Sequence, residues 1–193
     1  RDFCLSRGLG DVYKRQADGE TIEFPWVGNK LVEWDKETRE EVWSWNAFEH
    51  YSMLDYDAHG GTWWWGTESH DWMHSNAFYF DEEESAIYMS HRHLSRITKI
   101  DYPSGDILWM MGLPCPYMES CANHICTELK FSFQHNIQLT EDGNLLFFDN
   151  GNISPMLHGF EEPLSRVIEV EVSNSGDCEV IWEYTLDLSL IHI

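Results

Sequence analysis

Apolar and polar positions alternate with period two along much of the chain, and the alternation recurs in copies. "LVEWDKETREEVW" (31–43) and "ITKIDYPSGDILW" (97–109) each read as alternating strand, polar turn and second strand ending in tryptophan. They superpose without a gap: eight residues separate Asp35 from Trp43 and Asp101 from Trp109, and the copies lie 66 apart. A third copy, "VIEVEVSNSGDCEVIW" (167–182), keeps the alternation and its Trp182 but carries three more residues in the turn. Each copy has the pattern of a β-hairpin.

A different hairpin precedes each of the last two copies. "HSNAFYFDEEESAIYMS" (74–90) and "QHNIQLTEDGNLLFFDN" (134–150) both run histidine, strand, acidic turn, strand, while "ADGETIEF" (17–24) keeps only the turn and second strand. Two hairpins make a four-stranded unit. The pattern therefore predicts an all-β fold, a β-propeller of four-stranded blades, of which this chain holds about three: two complete and most of another. A β-sandwich shares the short alternating strands but does not account for a hairpin pair recurring at a near-constant offset. The tryptophans are expected in the core between blades. The long connections 46–69 and 112–131 are of a size that covers a site or lacks order, and their aromatics and cysteines favour order.

Composition narrows the function classes. With 193 residues, 42% hydrophobic and 15% aromatic, the chain suits a globular core. A formal net charge of -22 repels phosphate backbones and anionic lipid, which argues against nucleic-acid and membrane partners. No apolar run of membrane-spanning length is present. The ends, "RDFCLSRGLGDVYKRQ" (1–16) and "LSLIHI" (188–193), share no pattern with the interior and read as adapter-derived segments to be left out of fold reasoning. The native part is then a fragment from about Ala17 to Asp187, and the lack of a leader says nothing of the intact protein.

Candidate chemistry gathers where the inner hairpins open. If Phe80 pairs with Ala86, Asn76 faces Ser90 and His74 faces Arg92, with opposed Cβ atoms about 4.5–5.5 Å apart. A turn at Glu141–Gly143 brings His135 near Asp149 or Asn150, where a carboxylate would fix the imidazole tautomer. His74, Asn76 and Arg92 supply donors and positive charge with no carboxylate among them, which suits a tetrahedral oxyanion. His70, His91 and His93 are an alternative metal set, disfavoured because HExxH and other spaced ligand patterns are lacking. Cys115, Cys121 and Cys126 crowd one connection with Cys178 distant in sequence; a disulfide within that connection is preferred, ahead of free thiols and of a zinc site using His124.

These residues carry a resemblance. "DWMHSNAFYFDEEESAIYMSHRHLSRITKID", "FSFQHNIQLTEDGNLLFFDNGN" and "SRVIEVEV" with "WEY" resemble the arylsulfotransferase family, the bacterial aryl-sulfate sulfotransferases, over most of residues 20–186. The resemblance implies a six-bladed propeller exported to the periplasm or secreted. It also implies transfer of a sulfuryl group from a phenolic sulfate ester to a phenol, through a sulfo-histidine and without a nucleotide donor, cofactor or metal. By motif, His135 is the implied nucleophile and His74 and Arg92 the other catalytic groups, with Asn76, Arg92, His93 and Asn136 binding substrate. The family's first-blade histidine would fall at Asp11, inside the suspected adapter. Two other readings stand beside it: a noncatalytic propeller scaffold, and a quinone-dependent dehydrogenase propeller, which shares "DYPSGDILW" but would need an adjacent cysteine pair.

Overall fold

The computed structural model of the protein describes residues 2–17, 20–52, 55, 69–113 and 124–186, with the backbone alone described for 6–17 and 20–24. Three sheets follow one another along the chain, where a sandwich would have two. In the first, β1 (Asp2–Ala17) and β2 (Glu20–Trp34) form a long antiparallel hairpin, β3 (Glu41–Asn46) flanks β2, and β4 (His70–Asp71) joins β2 in parallel. The segment read as adapter-derived is thus paired along β2, and β2 runs unbroken through residues expected to form a turn and two strands. The second sheet orders β5 (Ser75–Asp81), β6 (Ala86–His91), β7 (Arg96–Asp101) and β8 (Ile107–Gly112), with the short β9 (His124–Ile125) parallel to β8. The third is β10 (His135–Leu139), β11 (Leu145–Asp149), β12 (Arg166–Val172) and β13 (Cys178–Thr185).

The sequence repeat is a repeat of register. Lys30 pairs with Asn46 and Glu33 with Trp43; Arg96 pairs with Gly112 and Lys99 with Trp109, the same pairs displaced by 66 residues. Glu169 opposite Trp182 continues the series. All three pairings are followed by a one-residue shift on the next position, after Glu33, Lys99 and Glu169. Such bulges bend and twist a hairpin locally.

The second sheet is covered on both faces, and its strand residues divide accordingly. Every residue of β6 is buried: Ile87 and Met89 enter a core shared with the first sheet, while Ala86 and Tyr88 enter a core shared with the third. Period-two geometry sends neighbours to opposite faces. Trp26, Trp45 and Trp72 sit in the first core. The indole N–H groups of Trp43 and Trp45 donate to the carbonyls of Pro103 and Gly105, at 2.8 and 3.0 Å, fastening β3 to the β7–β8 turn. Not every tryptophan is core: Trp182 is 48% exposed and stacks on Tyr184, because β13 carries no described sheet on its outer side. Trp63, Trp64 and Trp65 lie outside the described residues.

Cysteine pairing departs from the expectation. Cys126 is bonded to Cys178 across 52 residues, with Cα atoms 5.6 Å apart, so the partner lies at the start of β13 rather than within the crowded connection. Strand alternation cannot reveal this, since the two cysteines meet only once the third sheet has packed beside β9. A zinc site built on His124 loses Cys126 as a ligand, and Cys115 and Cys121 lie outside the described residues. Replacing Cys178→Ser should lower the unfolding free energy by about 2–4 kcal/mol, the usual contribution of a disulfide. Urea denaturation of both proteins checks this, with the gap closing when both are fully reduced.

Candidate active site

Two bulges build the site. Between Ser75 (opposite His91) and Ala77 (opposite Ser90), the ladder skips Asn76; between His135 (opposite Phe148) and Ile137 (opposite Phe147), it skips Asn136. The outer part of the β5–β6 hairpin is one residue away from the expected register, with Phe80 facing Ile87 and Ala77, not Asn76, facing Ser90. The bulge restores the count, so His74 does meet Arg92: the Arg92 N–H donates to the His74 carbonyl at 3.2 Å and that of His93 to Met73 at 2.9 Å. The matching bulges place Ser75 where His135 stands in the third sheet, so His74 and His135 come from neighbouring rather than equivalent positions of the repeat.

The backbone is held in an unusual form here. His74, Phe133 and Asn136 have φ of 48°, 54° and 56°. Residues other than glycine seldom adopt this left-handed region, and asparagine does so most readily of the three. At the far end of the β10–β11 hairpin, Gly143 at φ 83° closes the Thr140–Asn144 turn, where the Gly143 N–H donates to the Thr140 carbonyl.

His135 is half-buried. Its Nδ1 lies 3.1 Å from the Phe133 carbonyl and 3.1 Å from Asn150 Oδ1. Both are acceptors, so Nδ1 carries the proton and Nε2 keeps its lone pair. Of the two residues predicted to approach His135, Asn150 does so. Asp149 instead accepts from the Ser132 and Gly151 N–H groups and from Arg166 Nε, each at 2.9 Å. The tautomer is therefore set by an amide and a carbonyl rather than by a carboxylate.

A carboxylate enters at the other histidine. Asp71 Oδ2 is 2.5 Å from His74 Nδ1, and the Asp71 carbonyl accepts from His93 Nδ1 at 2.6 Å. The His74 and His93 rings stack with centroids 4.6 Å apart. His93 is buried, and Arg92 lays its guanidinium over the Phe133 ring at 4.9 Å. Asn76 Nδ2 donates to the Gln134 carbonyl at 2.8 Å, which joins β5 to β10. Asn136 is exposed in its bulge. Asp71, Phe133 and Gln134 were not singled out in the sequence, although all three stand inside the D-W-x-H and F-S-x-Q-H blocks.

Electrostatics favour neutral rings at His135, His93 and His91. Burial lowers the His135 pKa below its ordinary value, the hydrogen bond to Asn150 opposes this, and the charges of Arg92 and His74 add to the lowering. Burial takes His93 to about 3, against the pull of the Asp71 carbonyl and with help from His74 and Arg92. His91 is also pushed to about 3 by burial and Arg96, and its Nδ1 meets the Ser75 hydroxyl at 2.7 Å.

The metal set considered in the sequence is not assembled, since His70 packs against Trp26 and His91 bonds Ser75. The side chains of Asp71, His74 and His93 do each offer a ligand atom within 4.8 Å of the others. Their Nδ1 atoms are already engaged with Asp71, and the Arg92 charge beside them opposes a cation. A groove of about 470 Å³ between Tyr88, Lys99, Trp109 and Ser175 lies apart from the cluster and is lined by none of its residues.

The match to known proteins falls on this same span. The chain fits the family model described as Arylsulfotransferase (ASST) over residues 10–189 and belongs to that family. Comparison with curated proteins returns no match.

The surroundings of His135 define a titration test. Its midpoint, followed by histidine ring NMR, should lie below the ordinary ~6.5. Arg92→Met removes a charge that favours the neutral ring and should raise the midpoint. Asn150→Ala removes an acceptor that favours the protonated ring and should lower it. Shifts of the same sign in both variants would contradict the arrangement.

Proposed function

We propose that the protein is an aryl sulfotransferase that moves a sulfuryl group from a phenolic sulfate ester to a phenolic acceptor through a sulfated His135. The observation that carries this reading is the His135 ring itself: Nδ1–H committed to Asn150 and Phe133, a lowered pKa, and Nε2 as the remaining nucleophilic nitrogen. A neutral imidazole is a competent nucleophile at neutral pH, and a covalent intermediate divides one difficult transfer into two easier ones.

In the first half-reaction, His135 Nε2 forms a bond to sulfur while the ester S–O bond breaks and its electron pair leaves on the phenolate oxygen. Arg92 supplies positive charge to the equatorial oxygens, as charge clamps do in phosphoryl transfer. Asn76 has a second amide N–H beyond the one given to Gln134, and Asn136 and His93 complete the proposed sulfate-binding set. His74 gives a proton to the leaving oxygen. In the second half, the acceptor phenol surrenders its proton to His74 as its oxygen attacks sulfur, and the Nε2–S bond breaks with its electron pair returning to His135. Neither half requires a nucleotide donor.

The proposed setting is a propeller, with the three sheets as successive blades and β5 and β10 as neighbouring inner strands. The repeated register and the packing of the middle sheet on both faces support it. A periplasmic or secreted location is proposed as well, supported by the Cys126–Cys178 disulfide, since such bonds persist in oxidising compartments.

Incubation with 4-nitrophenyl sulfate, with and without a phenol, tests the reaction. Acceptor-dependent nitrophenolate release and a sulfo adduct on the peptide bearing His135 are expected. His135→Ala should reduce turnover by about 10³-fold or more, and Arg92→Met by about 10²–10³-fold. Folded protein that shows neither release nor adduct would turn the reading towards a noncatalytic binding scaffold.

A further inference from the structure

The geometry points to Asp71 as a positioning residue that makes His74 the proton donor and acceptor of the transfer, an inference that rests on the sulfuryl-transfer reading above. Asp71 closes β4 and presents two acceptors to two imidazoles. Its carboxylate takes the His74 Nδ1 at 2.5 Å, and its backbone carbonyl takes the His93 Nδ1 at 2.6 Å. The His93 ring, held neutral at a pKa of about 3, stacks on His74 and fixes the plane in which that ring lies. The main chain contributes as well: His74 sits at φ 48°, with its carbonyl tied to the Arg92 N–H.

With Nδ1 engaged by the carboxylate, proton exchange with a substrate falls to Nε2. A carboxylate behind an imidazole holds one tautomer and stabilises the imidazolium when it forms, as in the serine-protease triad. Here the demand is the same. His74 carries the proton of the transfer, and the Asp71 carboxylate bonded to its Nδ1 places a negative charge beside it. When the S–O bond breaks, the Nε2 proton passes to the phenolate oxygen, the N–H electron pair stays on His74, and Nδ1–H remains with Asp71. The second half-reaction returns the proton.

Two measurements on the whole chain test this. In protein labelled with ¹⁵N-histidine, with the His74 signal assigned by His74→Gln, the neutral ring should carry its proton on Nδ1, and Asp71→Ala should move it largely to Nε2. A neutral His74 protonated on Nε2 in the unaltered protein, or an unchanged tautomer in Asp71→Ala, would overturn the inference. Kinetically, Asp71→Asn should lower kcat by about 100-fold with phenyl sulfate, whose leaving group is strongly basic. With 4-nitrophenyl sulfate, which needs little proton assistance, the loss should stay within about 10-fold. Equal losses on the two esters would reduce Asp71 to a structural role and leave sulfuryl transfer standing. An unaltered protein that turns over neither ester would remove the transfer reading and this inference together.

Discussion

One buried amide holds the two halves of the site together. Gln134 Nε2 donates to Ser90 Oγ at 3.0 Å, the His91 carbonyl at 3.2 Å and the Arg96 carbonyl at 2.8 Å, reaching from the start of the third sheet to the adjoining ends of β6 and β7 in the second. Burying an amide N–H group without partners costs on the order of 1–3 kcal/mol, so these three acceptors favour one alignment of the junction. The Phe133 N–H donates to Ser95 Oγ beside it, and Asn76 answers by donating to the Gln134 carbonyl. His135, next in sequence, inherits its place relative to Arg92 and His74 from that clamp.

The surroundings of His135 differ from those of its counterpart in the repeat. In the second sheet the residue ahead of the bulge is Ser75, which bonds inward to His91. In the third it is His135, which bonds to the chain after β11 through Nδ1. A shared backbone device thus carries different side chains in the two sheets. The order Q-H in one copy and H-S in the other is what the bulge turns into two imidazoles facing a common space.

The hairpins, their order and the 66-residue repeat were legible because strand alternation is a local property and tryptophan marks its end. The His74–Arg92 meeting was legible only through two compensating departures: the hairpin is paired one residue away from the expected register, and the Asn76 bulge reverses the offset. A bulge leaves no trace in hydrophobic alternation. The choice of Asn150 over Asp149 had the same origin, since a single residue of register separates them. Asp71 was hidden for another reason: it reaches His74 from a two-residue strand that exists only by pairing with β2, a partner more than 40 positions earlier. The Cys126–Cys178 bond depends likewise on packing between distant segments. The functional reading leaned on motif resemblance, because composition and spacing alone give an oxyanion-binding cluster without its reaction.

The left-handed backbone at His74, Phe133 and Asn136 carries a consequence for how such a protein can change. Residues kept in that region cost of order 1–3 kcal/mol each, and glycine would relieve the strain while removing the side chains that the proposed transfer draws on at His74 and Asn136. Under the proposed reaction, robustness and reactivity are therefore set against each other at His74 and Asn136. A lineage selected only for a hardier fold would shed the site from the backbone outward, before any core residue had to move.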